Sequence, residues 1–213
     1  MFNLTNILLG VPITLIALTV HEFAHGYVSE KLGDPTPRYQ GRLTLNPLAH
    51  LDPIGAILMI ITGFGWAKPV NINPNYYKNR TKGMALVALA GPISNFITAF
   101  VGVAIGYILM LLFSKTGMDI SLIFNIMVLF AHRNLCFMVF NLIPLPPLDG
   151  FKVAGYFMPK KTYYTILQYE HYVLYAIMAL SLLGVFDKII GTGVNFFTGF
   201  IFRFAGNLIG ILF

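Results

Sequence analysis

The sequence predicts an all-α polytopic membrane protein, and two observations support this fold class. Of the 213 residues, 57% are hydrophobic and only 10% are charged, and the mean hydropathy is +0.74. A soluble domain carries about 25% charged residues, so this chain lacks the polar surface that a water-facing globule needs. Its apolar residues also gather in long runs, which predict five to six transmembrane helices in a single membrane-embedded domain, residues 1–213.

The first apolar run extends from Phe2 to Val20 and predicts a spanning helix over residues 4–27. No Lys or Arg precedes Lys31. The run therefore lacks the basic segment that opens a secretory signal peptide, and we expect it to remain in the mature protein.

A short apolar run, 54–66, lies between the first and second full spans. As a helix it is too short to cross about 30 Å of hydrocarbon. It therefore predicts a short re-entrant or β-hairpin element that returns to the side it left. Short strands are expected near residues 42–45 and 66–72.

Longer apolar runs complete the chain: 83–113, 120–148, 172–185 and 189–213. The first of these is long for one span and must tilt or extend beyond the bilayer. The second ends in a proline-rich stretch. We expect a core over residues 1–155 and C-terminal helices within 170–213.

The basic residues orient the protein. The formal net charge of +6 comes from short loops between apolar runs, as the positive-inside rule describes, so it does not indicate nucleic-acid binding. Counting spans places three basic clusters on one face, which we expect to be the cytoplasmic face of the plasma membrane. The clusters are Lys31, Arg38 and Arg42; Lys68, Lys78, Arg80 and Lys82; and Lys152, Lys160 and Lys161.

Arg133 is an exception, because it lies inside an apolar run. In a straight span over residues 120–143 it would sit near the bilayer midplane, at a cost of about 2.5 to 3.5 kcal/mol on insertion scales. If residues 134–149 are extended instead, at about 3 Å per residue, His132 and Arg133 lie near the outer interface. A snorkelling or paired Arg is the simpler interpretation, and a functional role is the alternative.

The strongest local signal is the pattern His-Glu-x-x-His at residues 21–25. On a helix, residues four apart lie one turn above each other on one face, so the imidazoles of His21 and His25 can bind one metal ion. Glu22 borders that face and can act on a water molecule there without being a ligand. Ionisable residues at the end of a span are functional-site candidates by default.

Two His leave a catalytic zinc site incomplete, because such sites usually take three protein ligands. Asp149 is the strongest candidate for the third, since the preceding span ends at the face where the charge count also places the two His. Three prolines within residues 141–150 prevent a regular helix, and such backbone at membrane depth needs protein partners or water. The other acidic residues are Glu30, Asp34, Asp52, Asp119, Glu170 and Asp187.

These motifs resemble those of the site-2 protease family of intramembrane zinc metalloproteases, especially its short prokaryotic members without a PDZ domain. The likeness covers about residues 10–155 and is carried by the stretches 21–25, 41–55, 91–95 and 134–150. The resemblance implies one zinc ion held by His21, His25 and Asp149, with Glu22 as the catalytic base. It also implies that Asn141 helps to hold the substrate strand or to polarise its carbonyl.

The sequence therefore predicts a zinc metalloendopeptidase that works in the lipid bilayer, with its active site towards the cytoplasmic side. Its expected partner is a transmembrane protein or peptide, cleaved in or near a transmembrane helix in regulated intramembrane proteolysis. The substrate must unwind locally, and pairing with residues 41–72 is a hypothesis for this step. The alternative is a membrane metal-binding or transport protein without peptidase activity, since intramembrane His and carboxylates also suit an ion pathway.

Other polar and small residues lead to weaker expectations. A structural hydrogen bond is favoured for His50, and a structural or interfacial position for His132. Gly91, Asn95 and the Gly102-x-x-x-Gly106 spacing predict close helix packing, because small residues let helices approach and Asn supplies an interhelical hydrogen bond. No catalytic role is assigned to them.

Overall fold

The computed structural model describes residues 4–56, 67–114, 116 and 119–212. Within these ranges the chain is helical and contains no regular strand, so the all-α prediction is confirmed. The helices are α1 (Leu4–Lys31), α2 (Thr36–Tyr39), α3 (Arg80–Ser114), α4 (Ser121–Asn141), α5 (Asp149–Ala154), α6 (Lys160–Leu167), α7 (Glu170–Leu182) and α8 (Asp187–Leu212). Short 3-10 turns occur at Pro47–Ala49 and Pro74–Tyr76.

Three of the described helices are long and apolar enough to cross a membrane: α3, α4 and α8. α3 has 35 residues, so it is roughly 52 Å long and exceeds a bilayer's hydrocarbon thickness, as its sequence predicts. α7 has only 13 residues, roughly 20 Å, which is too short for a straight crossing. The predicted count of five to six spans is therefore not confirmed.

The region between α1 and α3 differs from the predicted strands. Residues 42–45 and 67–72 form no regular strand. In this region the structure describes one isolated antiparallel bridge, between Leu51 and Ala67. Pro69 supplies a physical reason, because it has no N–H to continue a ladder beyond that bridge. Residues 57–66 of the predicted re-entrant or hairpin element lie outside the described residues, and residues 53–56 are helical.

The buried core forms where α3, α4 and α8 pack together. Its members are apolar side chains of these three helices: Ala99, Val103, Met127, Ala131, Leu135, Met138, Val194, Ile201 and Ala205. Glycines bring α3 close to α4, because a Cβ at Gly102 would overlap the Phe130 ring and one at Gly106 would lie 2.5 Å from Met127 Sδ. The close packing predicted from the Gly102-x-x-x-Gly106 spacing is therefore present.

A buried carboxylate fixes the end of α1. Asp34 accepts hydrogen bonds from Ser29 Oγ at 2.8 Å, the Thr36 N–H at 2.9 Å and the Asn73 N–H at 2.7 Å. Because Ser29 gives its proton to Asp34, the Tyr77 hydroxyl donates to Ser29 Oγ at 2.7 Å. Burial alone would raise the pKa of Asp34, but these hydrogen bonds hold that pKa below its ordinary value. The network joins α1 to the segment that leads into α3.

Candidate metal centre

α1 and α5 bring the two predicted His and the predicted Asp together. His21 and His25 lie one turn apart on α1, and Asp149 is the first residue of α5. A Cβ at Gly150 would overlap the Leu142 carbonyl oxygen, so the tight return of the chain after α4 requires glycine there. One ligand atom from each of the three side chains lies within 4.8 Å of the other two, and all three residues are buried.

The two imidazoles present the same ring nitrogen to the carboxylate. Asp149 Oδ2 lies 3.1 Å from His21 Nε2 and 3.0 Å from His25 Nε2. On the far side of each ring, Nδ1 lies 2.7 Å from an oxygen, Asn95 Oδ1 for His21 and the Val87 carbonyl for His25. These oxygens only accept hydrogen bonds, so both Nδ1 atoms carry protons and the neutral rings have lone pairs on Nε2.

This arrangement fits a metal ion. While both imidazoles are neutral, the two Nε2 lone pairs and the carboxylate oxygen cannot hydrogen bond to one another, because none of the three atoms donates. A cation shared between them satisfies all three. Two imidazoles and one carboxylate are also a ligand set that catalytic zinc sites use. Among the described residues, this is the group of His, Cys, Asp and Glu side chains that could hold a metal.

Asn95 on α3 orients His21. Its side chain is fully buried, and its Nδ2 donates to the Ala17 carbonyl at 2.9 Å and to Asn134 Oδ1 at 3.2 Å. These two bonds fix Oδ1 as the end of the carboxamide that faces His21 Nδ1. A hydrogen bond of this kind sets the tautomer and the ring orientation of a metal-ligating His.

Gly91 on α3 makes room for both imidazoles. A Cβ at this position would lie 2.5 Å from His21 Cε1 and 2.6 Å from His25 Cε1. The sequence indicates only helix packing for Gly91 and Asn95, and it does not reveal their contact with the site. Their spacing of four residues places them on one helix face, as it does for His21 and His25, and this matching periodicity is the signal that could have found them.

Glu22 lies beside the candidate ligands and is held by backbone. Its Oε2 accepts a hydrogen bond from the Val70 N–H at 3.0 Å. Val70 belongs to the segment 67–73, which has no regular secondary structure. Arg42 anchors this segment by donating to the Pro69 carbonyl at 3.5 Å and to the Ala49 carbonyl, and it is only 5% exposed. Arg42, which the sequence analysis counted among loop charges, is therefore a structural residue.

A cavity of about 1200 Å³ adjoins the three candidate ligands, and both Glu22 and Asn141 line it. Asn141 Nδ2 donates to the Phe137 carbonyl at 3.0 Å, which keeps the carboxamide on the cavity wall. Lys152 Nζ lies 3.2 Å from Asp149 Oδ1, the carboxylate oxygen that does not face the imidazoles.

His50 and Asp52 do not belong to this group. His50 is fully buried, and its Nε2 donates to the Thr44 carbonyl at 2.9 Å. This is the structural hydrogen bond that the sequence analysis favoured. Asp52 Oδ1 accepts hydrogen bonds from the N–H groups of Ile54 and Gly55, so it caps the helical residues that follow.

The chain is similar to a peptidase family and to proteins that are named as zinc metalloproteases. The sequence model of peptidase family M50 matches residues 10–185.

Three relatives carry the name "Putative zinc metalloprotease". YwhC of Bacillus subtilis is 40% identical over 177 residues, which cover 80% of this chain and 79% of YwhC. MJ0611 of Methanocaldococcus jannaschii is 35% identical over 138 residues, 62% of each chain. Rip2 of Mycolicibacterium smegmatis is 29% identical over 145 residues, 64% of this chain and 52% of Rip2. The matches therefore span less than two thirds of MJ0611 and of Rip2. No solved structure matches this chain.

Proposed function

The chain belongs to peptidase family M50, and we propose on this premise that it is an intramembrane zinc endopeptidase. It would hydrolyse a peptide bond in or near a transmembrane helix of a membrane-protein substrate. The observation that carries the proposal is the buried group of His21, His25 and Asp149 beside a large cavity, in a chain with three membrane-length helices. A buried site of this kind suits a substrate that is itself in the bilayer.

The names of the relatives and the family imply zinc, as the sequence predicts, and His21, His25 and Asp149 would hold it. When bound, a zinc ion supplies Lewis-acid polarisation of the scissile carbonyl and acidifies water at the site. The hydrogen bonds on both Nδ1 atoms keep the Nε2 lone pairs directed towards Asp149 Oδ2. The protein therefore holds this ligand set in its binding orientation.

Glu22 is the proposed general base. Its carboxylate accepts a proton from water as the water oxygen bonds to the carbonyl carbon. It then returns a proton to the amine nitrogen as the C–N bond breaks, so Glu22 ends the cycle ionised. The Val70 N–H holds Glu22 Oε2, and this leaves Oε1 for the exchange with water.

The substrate must present an accessible carbonyl. In an α-helix each carbonyl is hydrogen-bonded within the helix, so a transmembrane substrate has to unwind near the cleaved bond. Segment 67–73 lies next to Glu22, and we propose that the unwound substrate lies against it. Asn141, on the cavity wall, would hold the substrate backbone or polarise its carbonyl through its carboxamide.

We further propose a multi-pass position in the plasma membrane with the metal site towards the cytoplasmic side. The support is the distribution of charge. Lys31 is the last residue of α1, Lys152 lies on α5 three residues after Asp149, and Lys160 begins α6. Positively charged loops favour the cytoplasmic side.

Substitution of Glu22 tests the proposal. In Glu22→Gln, cleavage of a single-span model substrate should fall by about 10²- to 10⁴-fold, since a general base is lost. Zinc content should stay at the wild-type level. The matched control is Glu30→Gln on the same helix, where the carboxylate pairs with Arg38 at the surface, and both properties should persist in it.

Two results would contradict the proposal. Full cleavage by Glu22→Gln would exclude Glu22 as the base. A wild-type protein that binds zinc and cleaves no member of a broad panel of single-span substrates would favour the metal-binding or transport alternative.

A further inference from the structure

Arg133 carries a charge that the described part of the chain does not neutralise. It lies within α4, a helix long and apolar enough to cross a membrane. Its Nε atom is buried and has no hydrogen-bond partner. The ion pairs among the described residues involve Asp149 and Glu30, and none includes Arg133. An isolated charge in such a place is unfavourable, and an anion from outside the chain would relieve it.

Arg133 lines the same cavity as the candidate metal group. Besides Glu22, the lining residues of α1 are spaced by three or four along one helix face: Thr14, Leu18, His21 and His25. The lining residues of α4 run from His132 and Arg133 to Asn141, and residues of α3, α7 and α8 contribute to the wall. The cavity therefore extends along both α1 and α4, with Arg133 towards one end and the metal group towards the other.

The separation of the two ends can be estimated from helix geometry. A Cβ at Gly10 would lie 3.5 Å from Arg133 Nη2, so the guanidinium lies at the level of Gly10. On α1, Gly10 precedes His21 by roughly 16 Å, and on α4, Arg133 precedes Asn141 by roughly 12 Å, at 1.5 Å per residue. An extended peptide advances about 3.3 Å per residue, so about four or five of its residues cover this length.

We propose that Arg133 binds an acidic side chain of the substrate, about four or five residues from the peptide bond that is cleaved. The inference rests on the proposed function, which places a peptide at the other end of the same cavity. A guanidinium matches a carboxylate with two parallel hydrogen bonds. An Asp or Glu within a membrane segment needs such a partner. Arg133 therefore determines specificity and takes no part in the chemical step.

A substrate scan tests this inference. Single-span substrates share one cleavable sequence and carry one Asp at each of the five positions on either side of the bond, and each is matched by the same substrate with Asn. At the fourth or fifth position on one side of the bond, the wild-type protein should prefer Asp to Asn by at least about tenfold in kcat/KM, because a buried charge pair forms. Arg133→Gln should lose this preference and still cleave the Asn substrate.

A matched control and a binding measurement complete the design. Arg203 lies on α8, another membrane-length helix, and does not line the cavity, so Arg203→Gln should keep the Asp preference. The same Asp and Asn peptides are also titrated onto the inactive Glu22→Gln protein, with and without Arg133→Gln. Arg133→Lys keeps the positive charge and should retain part of the Asp preference. This variant keeps the inference testable if Arg133→Gln does not fold.

Equal cleavage of Asp and Asn substrates at every position by the wild-type protein would overturn the inference, and so would a preference that survives in Arg133→Gln. A third result would also overturn the inference. If Arg133→Gln changes the binding of vesicles that contain anionic lipid and leaves the binding of the Asp peptides unchanged, the ligand of Arg133 is a lipid headgroup. If the wild-type protein cleaves nothing, the proposed function fails, and the peptide titration alone decides whether Arg133 binds a carboxylate.

Discussion

The substitution Gly91→Ala adds one methyl group at the point where α3 faces the candidate metal centre. Gly91 lies in the first half of α3 and directly precedes Pro92. A Cβ before proline disfavours helical backbone, so the substitution should also lower stability. The effect on metal binding should come from the two imidazoles that face this position.

The size of the disturbance follows from the contact distances. The new Cβ would lie 2.5 to 2.6 Å from the His21 and His25 rings, whereas ordinary van der Waals contact begins at 3.4 Å. Each ring must therefore retreat by about 0.8 to 0.9 Å or α3 must move away. Metal–ligand distances hold within about 0.2 Å. Changes in the partners of a ligating His cost about 10- to 100-fold in metal affinity, so displacing two ligands should cost about 100-fold or more.

The assay is zinc affinity, measured by competition with a chromogenic chelator on detergent-purified protein. Two control variants separate the site from the fold. Gly199→Ala on α8 adds a Cβ that meets nothing within 4 Å, so stability should be equal to or slightly above that of the wild type and zinc affinity should be unchanged. Gly102→Ala forces a Cβ into the Phe130 ring, so it should lower the melting temperature and leave zinc affinity at the wild-type value.

The reasoning would be refuted by a folded Gly91→Ala protein with wild-type zinc affinity. Such a result would mean that the imidazoles in solution do not lie against α3. It would also be refuted if Gly102→Ala lost as much zinc affinity as Gly91→Ala, because the loss would then report general destabilisation.

Two further predictions concern the residues that support the site. Asn95→Ala removes the acceptor for His21 Nδ1 and should weaken zinc binding by about 10- to 100-fold. The control is Asn195→Ala on the exposed side of α8. Equal zinc affinities in the two variants would refute the role of Asn95 in orienting His21. Because the pKa of Asp34 is lowered in the folded protein, its stabilising effect should be present above about pH 4, the ordinary Asp value, and fall away as the pH drops below it. Thermal unfolding of wild type and Asp34→Asn from pH 6 to pH 3 should show the difference in melting temperature shrinking with acid, and a constant difference would contradict the prediction.

The local parts of the site follow from the sequence, because they depend on periodicity. Residues four apart share a helix face, so His21 and His25 had to point the same way once α1 formed. Asp149 is 128 residues from His21, and periodicity cannot bring two such residues together. The count of spans and the proline-rich turn before Asp149 indicate this residue as the third ligand. The structure places Asp149 against both His.

The missed parts depend on tertiary contacts. The spacing of Gly91 and Asn95 puts them on one face of α3, and the placement of this face against α1 shows that one clears space for the imidazoles and the other orients His21. The strands expected near residues 42–45 and 66–72 form no regular ladder in the described residues, and Pro69 gives a local reason, since it interrupts the donors that a ladder needs. Arg42 was read as a loop charge because burial is invisible in the sequence.

The most direct test of the central claim is zinc X-ray absorption on the purified protein, together with zinc stoichiometry. The account predicts one zinc ion per chain, bound by two imidazole nitrogens and carboxylate oxygen at about 2.0 to 2.2 Å. Imidazole scattering should fall in His21→Ala and in His25→Ala, and zinc content should fall in Asp149→Ala but not in Asp187→Ala. A zinc spectrum without imidazole ligands, or full zinc content in all three ligand variants, would contradict the claim that these side chains form one metal site.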